Sequence, residues 1–449
     1  MNRWTVHVKN FGKIEDASVE VAPLTLFVGD NNSGKSYMMT LIYGLFGVDF
    51  FFEKYNFDES TIAYQRCCEY VDKLVRTEHI EFYDLEGNDL EAFQELLNEV
   101  LKNNSDVFLR KLFNREMEIE SLQISFPSNL KLEFRITREP ETEEHPESVT
   151  IALTEKHKSI VSGYGSDVHK FQNDGNGHRF FISYIMQSML RGEMGSAKFK
   201  QRIYFPTART GFMLTYKSLV GTAMQDKFTL DETEKNLLTR PTSDFLRELS
   251  SMNTMRTRER FQTVLDFIEN NLIVGHINVS DTPTQDFVYT PEGTTQELPL
   301  YVTSGVVTEL TPFLLFLKYT NPGAFLIEEP EISLHPQLQW QMARVLIRLS
   351  NMGLPVFVTT HSDLILQHVN NMIKASKMKN KEAFLQASDY EEEDLLDRDN
   401  IRVYQFDVQE NHRTKIQQLP CGDYGFEAMT FYDTLKKMSD EIDQIEAEG

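Results

Sequence analysis

Cysteine is scarce in this 449-residue chain: Cys67, Cys68 and Cys421 are the only three, and none forms a C-x-x-C pair. No disulfide framework can be built from them, so a reducing compartment fits. Long hydrophobic runs are missing too. The stretch PFLLFL at 312–317 is far short of the roughly 18 residues a membrane helix needs. The opening MNRWTVHVKN has no apolar signal core, and the expectation is a cytoplasmic protein without a membrane partner. Positive charge is also short, 45 Lys and Arg against 68 Asp and Glu, a net −23. Proteins that wrap nucleic acid usually present a basic surface, so charge does not indicate such a partner. Any nucleic-acid contact would have to come from local patches such as Arg256, Arg258 and Arg260, or Lys374, Lys377, Lys379 and Lys381. Such clusters are more often solvated helix faces. Neither internal repeats nor sustained heptads occur.

The length exceeds what one core usually serves, so one large or two interlocked domains are expected. Near the start, FVGDNNSGKS (27–36) fits G-x-x-x-x-G-K-[ST], with Gly29, Gly34, Lys35 and Ser36 in the fixed places. LTLFV before it reads as a buried strand, and Tyr37 to Phe46 after it as an apolar helix. Strand, loop and helix in that order is the context a phosphate cradle needs. N–H groups of the loop, Asp30, Asn31, Asn32 and Ser33, and the helix N-terminus would face a β-phosphate. Lys35 would reach the β- and γ-phosphates, and the Ser36 hydroxyl would hold Mg²⁺. The bland alternative is a chance match in a Gly/Asn turn.

A second set of residues lies at 300–365. AFLIEEPEISLHP (324–336) is an apolar strand delivering two carboxylates from its C-terminal end. Mg²⁺ coordination beside a phosphate loop requires such a carboxylate. Glu328 is assigned to the metal, and Glu329 to orienting or deprotonating an attacking water. A buried strand entering an acidic turn would look the same. PVFVTTHSDLIL (355–366) is another strand, ending at His361, after a helix whose Leu338, Met342, Val345 and Leu349 share a face. The strand is expected parallel to the Glu strand and beside it, where His361 can hydrogen-bond a γ-phosphate. In YVTSGVVTEL (301–310), Ser304-Gly305 stands before a helix, a second anion-binding terminus.

Elsewhere the pattern is coarser. Residues 50–115 read as helical, and ESLQISF, LKLEFRI and SVTIAL within 118–161 as antiparallel strands. Residues 162–178 are Gly/Asn/Asp-rich and expected to be mobile. RIYFPTART (202–210) reads as strand and loop, 231–272 as helical, 401–419 as a hairpin, and about 427–446 as an acidic helix. The aromatic insertion between Phe46 and Phe57 holds Phe50, Phe51, Phe52 and Tyr55. It reads either as a satellite core or as contacts for assembly.

Taken together, VKNFGKIEDASVEV, LTLFVGDNNSGKS, TSG, FLIEEPEISLHP and VFVTTHSDLIL resemble, in order and spacing, the ABC-type ATPases of the SMC, RecF and OLD (overcoming lysogenisation defect) group. EEPE-x-x-LHP followed by TTHS is typical of the OLD-like, defence-associated branch. The resemblance covers roughly 1–45 and 295–370, with the tail pattern RVYQF…GDYGFEAMTFYDTL. It implies an α/β fold: an ABC-type P-loop ATPase with a mixed or parallel core sheet, an antiparallel β subdomain and helical insertions. The core is then split between 1–48 and 296–449. A helical insertion occupies 49–117, the β subdomain 118–161, and a mobile loop, middle strand and helical subdomain 162–295.

The resemblance further implies ATP and Mg²⁺ as ligands. His361 becomes a switch histidine, and Ser304 and Gly305 cap, in trans, the γ-phosphate on a second subunit of a dimer or higher oligomer. The transporter signature LSGGQ is absent, and the usual loop Gln is not evident. PTARTG stands about there, with Arg209 read either as a contact to phosphate or metal-bound water, or as a structural salt bridge. Four functions follow. An ATP-driven switch with a separate effector, a nuclease or toxin in bacterial anti-phage defence, needs nothing more. An OLD-type fused nuclease needs a TOPRIM domain after His361, where only EEEDLLDRDN with Asp397 and Asp399 offers a D-x-D, without a strand leading into it. An SMC/RecF-like repair protein of the long-armed kind needs coiled coils that the interval from Arg209 to Ser304 lacks. A transporter ATPase needs the missing signature.

Overall fold

The computed structural model describes residues 2–48, 57–76, 79–80, 83–132, 135–139, 148–152, 163–164, 176–191, 202–226, 238–280, 286–423, 425–428 and 439–445. By internal packing the chain forms two units, residues 1–21 with 40–202 and residues 22–39 with 203–449. Both are discontinuous, and the stretches 1–48 and 162–295 each contribute to both. No helix among the described residues is long and apolar enough to cross a membrane.

In the second unit the strands stand in the order 202–205, 324–328, 356–360, 24–29, 401–408, 414–418. Ala324–Glu328, Val356–Thr360, Leu24–Gly29 and Ile401–Val408 run parallel, and Thr414–Gln418 returns antiparallel. The first three are buried at every residue. Continuous apolar runs such as LTLFV and AFLI are what a parallel sheet covered on both faces demands. Register puts Glu328 beside Thr359, and Thr359 beside Phe27. The C-terminal tips of these strands therefore come level, at the edge where ligands of open α/β sheets bind. The mixed α/β class expected from the sequence is the one found, and the expected hairpin at 401–419 is present.

Helix Gly305–Tyr319 is buried from Val307 to Leu317, and its apolar sequence has no polar face to offer solvent. Phe313 on it stacks against Phe205 at 4.2 Å and 3°. Phe325 meets Phe205 edge-on at 4.8 Å, fixing the end of the Arg202–Phe205 strand. A three-stranded antiparallel sheet, Gly275–Val279, Phe287–Pro291 and Leu298–Pro299, precedes that helix.

In the first unit, Thr5–Phe11 pairs antiparallel with Ile14–Glu20 and with Ser121–Ser125. Trp4 lies edge-on to Phe46 at 5.4 Å and donates its indole N–H to Leu190 O at 2.9 Å. Helices Ile62–Arg76 and Gly87–Asn103 pack through Tyr70 and Phe93, 5.3 Å apart.

Several elements depart from the sequence reading. SLQIS joins the N-terminal hairpin rather than the neighbouring strands, and LKLEFRI divides. Its first half, Asn129–Leu132, pairs with Tyr83–Glu86, and its second, Arg135–Glu139, with Ser148–Ala152. Of the helical reading of 231–272, 231–237 lies outside the described residues and the rest breaks at 251–261, where the Ser250 and Ser251 hydroxyls both donate to Arg247 O, at 2.9 and 2.8 Å. Helix Gln262–Ile268 then runs into a wide turn, Glu269–Ile273, so Phe261, Val264, Leu265, Ile268 and Leu272 are buried as expected. Of the acidic tail helix, 439–445 is helical. Phe50, Phe51, Phe52 and Tyr55 lie outside the described residues, as does 162–178 apart from Gly163–Tyr164 and the start of helix Asn176–Arg191.

One ionic staple holds the segment before the tail hairpin. Asp394 accepts from Arg344 at 3.1 and 2.7 Å and from Arg348 at 2.7 and 3.0 Å, both on helix Pro336–Asn351. Burial pushes this carboxyl up, but the bonds from Arg348 and Arg344 outweigh it and hold the group at about 2. Asp394→Ala removes the buried partner that Arg344 and Arg348 share, leaving Arg348 with Glu391 and Arg344 with Gln341 and Asp389 O, and should cost about 3 kcal/mol in urea denaturation. Because the folded value lies below the ordinary ~3.9, the carboxylate's contribution is whole above pH ~4 and fades as pH falls towards 2. The stability gap between wild type and Asp394→Ala should therefore narrow in acid. A gap unchanged between pH 5 and 2.5 would show that the staple is not ionic.

Candidate functional site

The phosphate loop leaves its strand at Gly29, where φ is +137° and a Cβ would stand 2.4 Å from Phe406 O of the adjacent strand. Only glycine fits there. Asn32 (φ +59°) and Gly34 (φ +96°) are left-handed as well, which curls successive N–H groups into an anion-binding concavity. Asp30, Asn31 and Asn32 are exposed, Ser33 is buried, and helix Lys35–Gly47 begins directly after Gly34. Lys35 Nζ donates to Gly29 O at 2.9 Å, Asp30 O at 2.6 Å and Ser33 Oγ at 3.3 Å. Its burial lowers the ammonium pKa to about 8, against the pull of Glu329, Asp30, Glu331 and Glu328. Those four acids therefore share the field of the lysine. Ser36, next on the helix, is exposed.

Glu328 ends its strand buried, and its Oε2 accepts from Thr207 N at 3.2 Å and Thr207 Oγ1 at 3.0 Å. Among the described residues Oε1 carries no hydrogen bond. A carboxylate oxygen and the Ser36 hydroxyl are the hard oxygen donors that suit Mg²⁺, so the donor set fits that ion. Glu329 sits at φ +45°, unusual for a residue with a side chain, with its N–H donating to Thr359 O at 2.9 Å. Its carboxylate lies 3.5 Å from His361 Nε2, both side chains 29% exposed. The His361 contact holds Glu329 below the usual carboxylate range against its burial, with Lys35 and Arg209 adding to the effect.

Sequence reasoning missed three neighbours. Glu331 Oε1 accepts from His361 N at 2.6 Å and Thr360 Oγ1 at 2.9 Å, so it holds the peptide that carries the histidine. Burial pushes this carboxyl up. The third acid of EEPE was the available signal. Thr207 holds Glu328, and Glu309 pairs with Arg209. Arg209 itself is fully buried, directed at Glu309 and at the carbonyls of Glu328 and Glu329. Of its two readings, contact with phosphate or structural salt bridge, this geometry is that of the salt bridge. Ser304 caps helix Gly305–Tyr319, its Oγ accepting from Val307 N at 3.4 Å, and Ser304 and Gly305 are both exposed. Asp397 accepts from Asp399 N at 2.9 Å inside a tight turn.

A family model described as an AAA ATPase domain matches residues 4–366. The chain belongs to that family. Membership carries ATP binding and ATPase activity in general terms, in keeping with the phosphate loop described above. No curated protein matches this ATPase. Among solved structures it is similar to the SMC head domain from Thermotoga maritima, at 11% identity over 94% of this chain and 100% of that one, TM-score 0.34. It is also similar to an SmcHead bound to the C-winged helix domain of ScpA, at 12% identity, 93% and 98% coverage, TM-score 0.37. A third is an Smc head domain with an extended coiled coil, bound to the C-terminal domain of ScpA derived from Pyrococcus furiosus (11%, 98% and 99%, 0.35). Scores this low bear on neither activity nor partner.

The depressed Lys35 value gives the ATPase a pH signature. Bound phosphate favours the charged ammonium, so binding is insensitive to pH below 8, where Lys35 already carries its proton. Above 8 a proton must be taken up, and affinity should fall towards about tenfold per pH unit. Titration with a fluorescent ATP analogue from pH 6.5 to 9.5 reads this directly. Lys35→Arg should remove the bend, and a flat wild-type profile would mean that Lys35 does not meet phosphate.

Proposed function

We propose that this ATPase is a Mg²⁺-dependent, ABC-type switch that hydrolyses ATP in nucleotide-sandwich dimers and works on a separate effector protein. The observation that carries the reading is the meeting of Lys35, Glu328, Glu329 and His361 at the level C-terminal tips of adjacent parallel strands. In it, Gly29 to Ser36 would cradle the phosphates, and Ser36 and Glu328 would hold Mg²⁺, which would draw charge from the phosphates. Glu329 faces the attacking water. A carboxylate held below its usual range is a weak proton acceptor, so its role is chiefly to orient that water and stabilise charge. His361 bridges Glu329 and the γ-phosphate.

Ser304 and Gly305 present a capped, exposed helix N-terminus, a form suited to a phosphate from outside the subunit. The dimer in this reading rests on that exposure together with the sequence resemblance. A cytoplasmic role in bacterial anti-phage defence, with a nuclease or toxin as effector, rests on the resemblance alone.

The test uses Glu329→Gln and Lys35→Ala. Glu329→Gln should bind ATP, turn over about 10²–10⁴ times more slowly and enrich a dimer or larger species in light scattering. Lys35→Ala should stay folded and lose nucleotide. Wild-type turnover should vanish with EDTA and return with Mg²⁺. Full turnover in Glu329→Gln would remove the water-facing role. An ATP-independent mass in that variant would remove the sandwich.

A further inference from the structure

A single five-residue segment, Pro206 to Thr210, grips the tip of the Glu strand from two sides. Thr207 holds the Glu328 carboxylate through its N–H and its hydroxyl. Arg209 Nη1 donates to Glu328 O at 2.5 Å and to Pro206 O at 3.2 Å, and Nη2 donates to Glu329 O at 2.9 Å. The same guanidinium is ion-paired with Glu309, and the Thr210 hydroxyl also donates to Glu309. Both charged side chains are 0% exposed. Glu309 belongs to the helix that starts at Gly305, about one turn closer to its exposed end than Phe313 and about two turns closer than Phe316, the aromatic floor.

Together these bonds reach three places: the tip of the Glu strand twice, its own loop, and the Ser304-capped helix. Planar guanidinium donors can reach three carbonyls and a carboxylate together, and an ammonium cannot match that spread. Glu329 has the left-handed backbone that needs outside support, and the bond from Arg209 falls on its own carbonyl. We infer that Arg209 is a positioning residue, which sets the peptide of Glu329 and locks it to Glu309 in the helix of Ser304 and Gly305. Fully buried, its side chain offers no exposed face to a nucleotide. The orientation of the water-facing carboxylate then follows that helix rather than the phosphate loop.

This rests on the ATPase reading above, and the test separates the two. Arg209→Lys keeps the charge and loses the fork. Glu309→Gln keeps the shape and acceptor and loses the charge. In the full chain, each should bind an ATP analogue within about threefold of wild type, with KM similarly unmoved and kcat down by about 100-fold, as a displacement near 1 Å can cause. A merely structural pair would lower the melting temperature and leave kcat intact below it. Normal kcat in either folded variant overturns the inference. If Arg209→Lys does not fold, Glu309→Gln decides, and failure of both to fold assigns the pair to stability alone and also overturns it. A wild-type chain that binds but never hydrolyses ATP would instead sink the ATPase reading itself.

Discussion

A charged guanidinium with no solvent around it organises the tip of the Glu strand, Ala324–Glu328. Arg209 is surrounded by Glu309 and three carbonyls, above a floor in which Phe313 lies 5.6 Å from the guanidinium carbon. Burial alone lowers the basicity of Arg209 and raises the Glu309 carboxyl, and each charge offsets the penalty of the other. Such a pair adds little stability over an apolar substitute, yet removing one member costs about 3–5 kcal/mol. Its value is geometric. A left-handed Glu329 costs on the order of 1–3 kcal/mol, and bonds from a charged donor are worth about 1.5–3 kcal/mol each. Two such bonds, to Glu328 O and Glu329 O, are enough to hold the strained tip.

From that fixed tip the carboxylates diverge in character. Glu329 reaches the partly open edge and meets His361, which keeps it below the usual range. Glu331, two residues on, turns inward under the His361 peptide, and burial drives it the other way. Pro330 between them and the turn make this split possible, since positions two apart in an extended strand would face the same side. Environment, not residue type, assigns different protonation tendencies to side chains of identical chemistry.

The parts legible in the sequence are those written in contiguous runs. FVGDNNSGKS, AFLIEE and VFVTTH each carry their strand and their functional residue in one window, and the sheet brings the windows together in the expected parallel order. The roles proposed for their side chains await the experiments above. What stayed hidden was pairwise and distant. Arg209 and Glu309 lie a hundred residues apart, and nothing local in PTARTG distinguishes a guanidinium aimed at phosphate from one aimed inward. A signal did exist: Glu309 is the lone acid in VVTELTPFLLFL, a run too apolar for a solvent face, and a buried acid implies a buried partner. The misread helix at 231–272 failed for another reason. Apolar spacing on either side of 251–261 is helical, so periodicity alone carries the reading across the break.

The net charge of −23 sets a last constraint on this edge. ATP is a polyanion, and Lys35 is the phosphate loop's own cation, already within the fields of Glu329, Asp30, Glu331 and Glu328. The N–H groups of the loop and the dipole of helix Lys35–Gly47 contribute only a fraction of a charge. Phosphates brought beside Glu328 and Glu329 without a further cation would meet repulsion that these groups cannot offset. In the proposed reading, a divalent ion held by Glu328 would reverse the sign of that interaction, because the carboxylate would be a ligand instead of a competitor. The carboxylates that oppose bare phosphates at this edge are, on that reading, the groups that would favour ATP carrying a divalent ion.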